Sequence, residues 1–212
     1  MPFTGVQVNT YGPKPSRLFF MDATMFGLPV DILHTYVGRS ACMRVKACSL
    51  VPMANVTGPD MDHAETVALF NDLCLLAPAA LIDVPVAWEL VDDHHVRGAF
   101  TNGPHTVTAE LVFSDDHDLI DFISDDRLRA SPDGEVLTLQ RWSTPVGRYR
   151  ILDARRVGTH GEGRWHAPQP DGEFAYLELD LDGITYNAGD ASRLPGLVRQ
   201  RNELVKPIRA AM

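Results

Sequence analysis

The sequence predicts a mainly β (α+β) fold: a strongly curved antiparallel sheet or half-barrel of about nine strands wrapped around one central helix. Three observations lead there. Pro and Gly residues are scattered as punctuation between short apolar segments, with no repeat or low-complexity tract. From residue 86 to 124 the hydrophobic rhythm is two-residue. One segment, 60–77, instead carries apolar side chains on every side at helical spacing.

In chain order, residues 17–25 and 41–52 are rich in apolar and β-branched side chains and read as strands, separated by the Gly27-Leu28-Pro29 turn region and Gly38. Segment 60–77 reads as the main helix. Asp60 or Asp62 is placed to cap it, Glu65 to reach back to its first turn, and Pro78 to end it. Val67, Phe70, Cys74 and Ala77 form one face, but Leu69, Leu73, Leu75 and Leu76 spread apolar surface around the rest, so the helix needs cover on most sides. Segments 86–91, 96–101, 105–113 and 119–124 form a meander, linked by turn residues such as Asn102-Gly103-Pro104. Within it Val107, Ala109, Leu111 and Phe113 alternate with Thr106, Thr108 and Glu110, the pattern of a sheet covered on one face. Further strands are expected at 135–142, 148–154, 161–166 and 174–186. A single domain spans 1–190, followed by a basic, weakly helical tail at 191–212.

Composition narrows the function. A net charge of -9 without a basic stripe disfavours nucleic acid and acidic membrane surfaces. No apolar run is long enough for a membrane span, and Met1-Pro2-Phe3-Thr4-Gly5 lacks the pattern of a secretory signal, so a cytoplasmic location is expected. Cys42, Cys48 and Cys74 are odd in number and include no CxxC pair, which points to free thiols. The eight histidines form no HExxH or HxH cluster, and Gly161-Glu162-Gly163-Arg164 lacks the setting of a nucleotide loop. Neither a metal nor an organic cofactor is expected.

The string Gly58-Pro59-Asp60-Met61-Asp62-His63-Ala64-Glu65-Thr66-Val67, running into Phe70-Asn71-Asp72-Leu73-Cys74-Leu75-Leu76-Ala77-Pro78 and Leu81-Ile82-Asp83, resembles a bacterial family of proteins of unknown function. Met25-Phe26-Gly27-Leu28-Pro29, Ser124-Asp125-Asp126-Arg127, Trp142-Ser143-Thr144-Pro145 and Ile184-Thr185-Tyr186-Asn187 look like the same family, so the likeness covers about residues 17–187. It implies a fold similar to the curved-sheet carriers of lipoproteins and their enzymatic relatives. It implies no reaction. One departure is the stretch from Asp153 to His160, which lacks a proline usual in the family and leaves any shared ligand specificity in doubt.

The most suggestive polar residues are Glu65, Asn71 and Asp72, because a carboxylate on a buried helix either finds donors or has its pKa raised. Structural pairing is the competing expectation: Glu65 with the helix start, Asp72 with an arginine, Asn71 with a strand. Glu65, Asp72, Asp83 and His63 are the candidates to move a proton. Asn71, Trp88, Phe100, Asp125, Arg127, Arg141, Trp142, Glu162, Trp165 and Tyr186 are the candidates to line a pocket, with Asp125 or Asp126 and a guanidinium as a clamp and tryptophan as an apolar wall.

Two functions are carried forward. The first is a cofactor-independent enzyme of the cyclase, isomerase or lyase type, holding a hydrophobic small molecule between sheet and helix. The second is a binding or carrier protein that holds such a molecule and leaves it unchanged. A monomer or homodimer serves either.

Overall fold

Residues 1–131 and 136–188 are described by the computed structural model. They contain one α-helix, α1 (Pro59–Leu76), a short 3-10 turn (Pro78–Ile82) and seventeen strands. The mainly β, antiparallel, one-helix architecture is as predicted, but the strands divide between two principal sheets. The first is a five-stranded antiparallel meander of β1 (Phe3–Thr10), β2 (Ser16–Met25), β3 (Leu28–Val37), β4 (Ser40–Ala47) and β5 (Val51–Thr57). The second begins with the meander β6 (Val86–Leu90), β7 (His95–Asn102), β8 (His105–Phe113) and β9 (Leu119–Ser124). Two ribbons pair outside the main sheets, β10 (Leu128–Ala130) with β11 (Leu137–Leu139) and β14 (Arg150–Leu152) with β15 (Arg155–Val157). The second sheet continues from β9 through β12 (Trp142–Ser143) to β16 (His160–His166), which also pairs with β13 (Val146–Gly147) and β17 (Glu173–Asp180).

The strand count exceeds the expected nine for three reasons. β1 and β3 escape the hydrophobic pattern: β1 turns Gln7 and Asn9 inward, while Pro29 reads as a turn although it pairs with Thr24 at a strand end, where a missing N–H is tolerated. The stretch expected as one strand at 41–52 is two, folded at Cys48 and Ser49, both with positive φ. Among the described residues between 128 and 157, pairings of two or three residues replace long strands. The expected tail helix lies outside the described residues.

Helix α1 packs against β4 and β5 on one side and β8, β9 and β10 on the other. Every residue from Ala64 to Cys74 is buried, which is why its apolar residues surround the axis. Its start differs from expectation. The N-cap is Gly58 (φ 112°), with no side-chain cap, followed by Pro59. The position from which a capping-box carboxylate would reach back is therefore Met61, and Glu65 lies a turn too far along. Asp62 instead accepts the Ala41 N–H at 2.6 Å, tying the helix to β4.

The core centres on Phe70, which stacks on Phe100 (5.3 Å), meets Phe122 edge-on (5.4 Å) and lies 6.1 Å from Trp88. A polar chain crosses the same interior. Asn102 on β7 donates to Tyr36 Oη on β3 (2.6 Å), Tyr36 lies 2.9 Å from Thr66 Oγ1, and Thr66 donates to Asp62 O (2.8 Å). With Asn102 donating at one end and Thr66 donating at the other, the Tyr36 hydroxyl proton goes to Thr66. One chain thus links both sheets to the helix, with every donor used.

Gly98 on β7 gives Phe70 and Trp88 their room, since a β-carbon there would lie 2.8 Å and 2.7 Å from their rings. Gly98→Ala is expected to destabilise the fold by about 1–3 kcal/mol in urea unfolding. An unchanged midpoint would show that the aromatic layer can shift at little cost.

Candidate functional site

Glu65 and Asp72 lie seven residues apart, about two helical turns, and so share one side of α1. The inner face of the first sheet meets them with polar side chains. Arg17 on β2 reaches both carboxylates, Nε to Asp72 Oδ2 at 2.6 Å and NH1 to Glu65 Oε2 at 3.0 Å. Gln7 and Asn9 on β1 donate to the same Asp72 oxygen at 2.6 and 3.1 Å, and Asn9 also donates to Tyr11 Oη at 2.8 Å. From the opposite side, Arg127 approaches Glu65 Oε1 with both terminal nitrogens at 3.3 Å and donates to the Ala64 carbonyl. Its guanidinium lies over the Trp142 ring, 5.4 Å from the centroid. His34 Nδ1 on β3 is 3.6 Å from Glu65 Oε1.

Two arginines thus face two carboxylates in a largely dry space, where Glu65 is 1% exposed. Burial alone would raise the Glu65 carboxyl, but Arg127, His34 and Arg17 outweigh it and hold the group well below the usual carboxylate range. Burial and the neighbouring Asp72 charge push the Tyr11 hydroxyl up, so it remains a phenol. At neutral pH Glu65 carries no proton to give and has little affinity for one.

The structure brings together four of the sequence candidates here: Glu65, Asp72, Arg127 and Trp142. The others lie elsewhere. Asn71 donates to Thr144 Oγ1 at 2.5 Å, joining α1 to the second sheet. Trp88 and Phe100 flank Phe70 in the aromatic core. His63 meets His105 edge-on at 5.7 Å. Asp83, exposed, borders a recess of about 60 Å³ with Tyr11, Gly12, Ala80 and Val84. Asp125 and Arg141 pair at 3.2 Å on the second sheet, in a shallow groove of about 230 Å³ shared with Arg97, Glu110 and Ile123. Glu162 pairs with Arg164 at 2.5 Å, Trp165 stacks on Tyr176 at 5.4 Å, and Tyr186 donates to the Leu76 carbonyl at 2.7 Å.

Sequence reasoning missed Gln7, Asn9, Tyr11, Arg17 and His34. The available signal was the reversed alternation of β1, whose inward residues are polar and whose Val6 and Val8 pair with Phe20 and Leu18 on the outer face. It also missed an outer-face chain in which Ser143 Oγ lies 2.8 Å from His166 Nε2, and His166 Nδ1 lies 3.4 Å from Glu173. The order matches a nucleophile, a base and an orienting carboxylate. Ser143, however, is 1% exposed and its hydroxyl cannot meet a substrate, so the chain ties strands together. Nearby Asp121 is pushed up to about 6, chiefly by burial, with Glu173 adding to the shift. Among the described residues, no three His, Cys, Asp or Glu side chains converge as metal ligands. No helix there is long and apolar enough to cross a membrane.

Glu65→Gln is expected to cost about 3–5 kcal/mol at pH 7, because it leaves two buried guanidinium groups facing one carboxylate. The native carboxyl is depressed, so its contribution is present in full above the unfolded glutamate pKa of about 4.3 and is lost as pH falls below it. Urea unfolding of both proteins between pH 7 and pH 3 should show the deficit shrinking toward low pH. A constant deficit would mean that the lost interaction is not ionic.

No curated protein and no solved structure matches the chain. A family model described as "Family of unknown function (DUF6544)" matches residues 1–179. With most of its length inside that match, the chain belongs to this family of unknown function.

Proposed function

We propose that the protein binds a hydrophobic small molecule between α1 and the five-stranded sheet and releases it unchanged. The observation that carries this reading is the composition of the sheet's inner face. Phe19, Met43 and Val56 share one cross-strand row with Gln7 and His34, and Met21, Ile32 and Val45 form the next. All but the buried Met21 are only half-buried, so two adjoining apolar rows keep contact with solvent beside the charged network. An apolar guest covering them would gain contact without giving up hydrogen bonds.

The alternative, a cofactor-independent cyclase, isomerase or lyase, needs a group that exchanges a proton near neutrality. Glu65 is held too firmly as a carboxylate for that work, and Asp72 already accepts from Arg17, Gln7 and Asn9. The network is better suited to fixing the helix beside a guest than to transforming it. The cytoplasmic location and the monomer or homodimer belong to the same proposal.

Mass spectrometry of protein purified from its host should find a retained apolar compound, recovered intact after incubation with fresh protein. A fluorescent fatty acid is expected to bind the wild type, and Val45→Asp to weaken that binding at least about tenfold by placing a charge in the apolar rows. Conversion of the compound, abolished by a folded Glu65→Gln, would return the enzyme reading.

A further inference from the structure

We infer that one end of the five-stranded sheet inserts into the surface of a zwitterionic lipid bilayer. The inference stands on two turns and does not depend on what the interior binds. The β2–β3 turn presents Phe26, 97% exposed, and Leu28, 55% exposed. Beside it the β4–β5 turn presents Leu50, Val51 and Met53 at 81%, 60% and 50%. The turns adjoin, since Cys48 donates its N–H to the Pro29 carbonyl at 2.8 Å. Five large apolar side chains therefore project from one edge, where folding alone gives no reason to keep them.

Their setting distinguishes lipid from a protein partner. Segments 23–30 and 47–57 contain no charged residue, although charged residues make up 22% of the chain. Two backbone donors of the tip are engaged internally: Cys48 N–H as above, and Leu50 N–H to Ala47 O at 3.1 Å. The Ser49 hydroxyl donates to Asp31 at 2.6 Å. These bonds lower the number of polar groups that would need a partner in hydrocarbon. Phe26 has φ 52°, a left-handed position that glycine or asparagine fills more easily, and it still presents a phenyl ring to solvent. The shape is a projecting tip, which a fluid acyl layer accepts without the matched, polar-rimmed surface that a protein interface needs.

Charge fixes the headgroup class. Three register positions behind the Met25–Leu28 end of the β2–β3 hairpin, Asp22 pairs with Asp31, and Asp31 pairs with Lys46, across β2, β3 and β4. This mixed belt can face phosphate with Lys46 and a quaternary amine with the aspartates, whereas anionic lipid would be repelled by the two carboxylates and by the net charge of -9.

The test is flotation of the full chain with phosphatidylcholine vesicles, compared with Phe26→Asp/Leu50→Asp, a pair that leaves the interior untouched. Wild type is expected to float with the vesicles, to do so equally at high salt, and to bind phosphatidylglycerol vesicles less well. The double variant, with the same melting temperature, should lose at least about tenfold in partitioning, from the loss of two inserting side chains. Absence of wild-type flotation, equal flotation of the variant, or binding that salt removes would overturn the inference. A wild-type dimer that the double variant converts to monomer, without flotation, would assign the tip to a second copy of the chain instead.

Discussion

Two buried carboxylates on α1, Glu65 and Asp72, closed in by arginines from opposite sides, constrain everything around them. A buried charge is tolerated only when it is paired and hydrogen-bonded. Arg17 meets that requirement from the five-stranded sheet and Arg127 from the segment leading into β10, so the helix has one acceptable position between them. The neutral ties repeat the same geometry. Asn102, Tyr36 and Thr66 join both sheets through the helix, and Asn71 with Thr144 fixes its other side. The aromatic layer around Phe70 supplies cohesion without direction, whereas the polar contacts specify rotation and register.

That division bears on chemistry. Buried carboxylates suggest catalysis when their pKa values move toward neutrality, as happens when desolvation dominates. Here the partners win. Arg127, His34 and Arg17 more than offset the cost of burying Glu65. Among the described residues the carboxyl raised toward neutrality is Asp121, which lies near the buried hydroxyl of Ser143, away from the helix network. What remains beside the network is apolar and half-open, which suits holding a guest. The uncharged turns lie at the Val30 and Ala47 end of the same sheet.

The sequence made some of this legible and hid the rest for physical reasons. Helix α1 was readable because its apolar residues surround the axis and proline bounds it, and the β6–β9 meander because two-residue alternation and turn residues coincide there. Asp72 with an arginine and Asn71 with a strand were foreseeable as pairings, although not which arginine. Arg17 lies 55 residues from Asp72, and nothing local in β2 marks it as inward-facing. β1 was invisible because its interior residues are polar, the reverse of the usual pattern. The split into two sheets was equally hidden, since local alternation reports which face is covered and not which strands share a ladder.

The ionisation state of Glu65 in the folded protein tests the central claim most directly. A carbon-13 NMR titration of its side-chain carboxyl should keep the carboxylate shift as pH falls through about 4.3, where exposed glutamates protonate. A midpoint at or above that value would mean that burial outweighs the arginines, and the helix would then carry a protonatable acid at its centre.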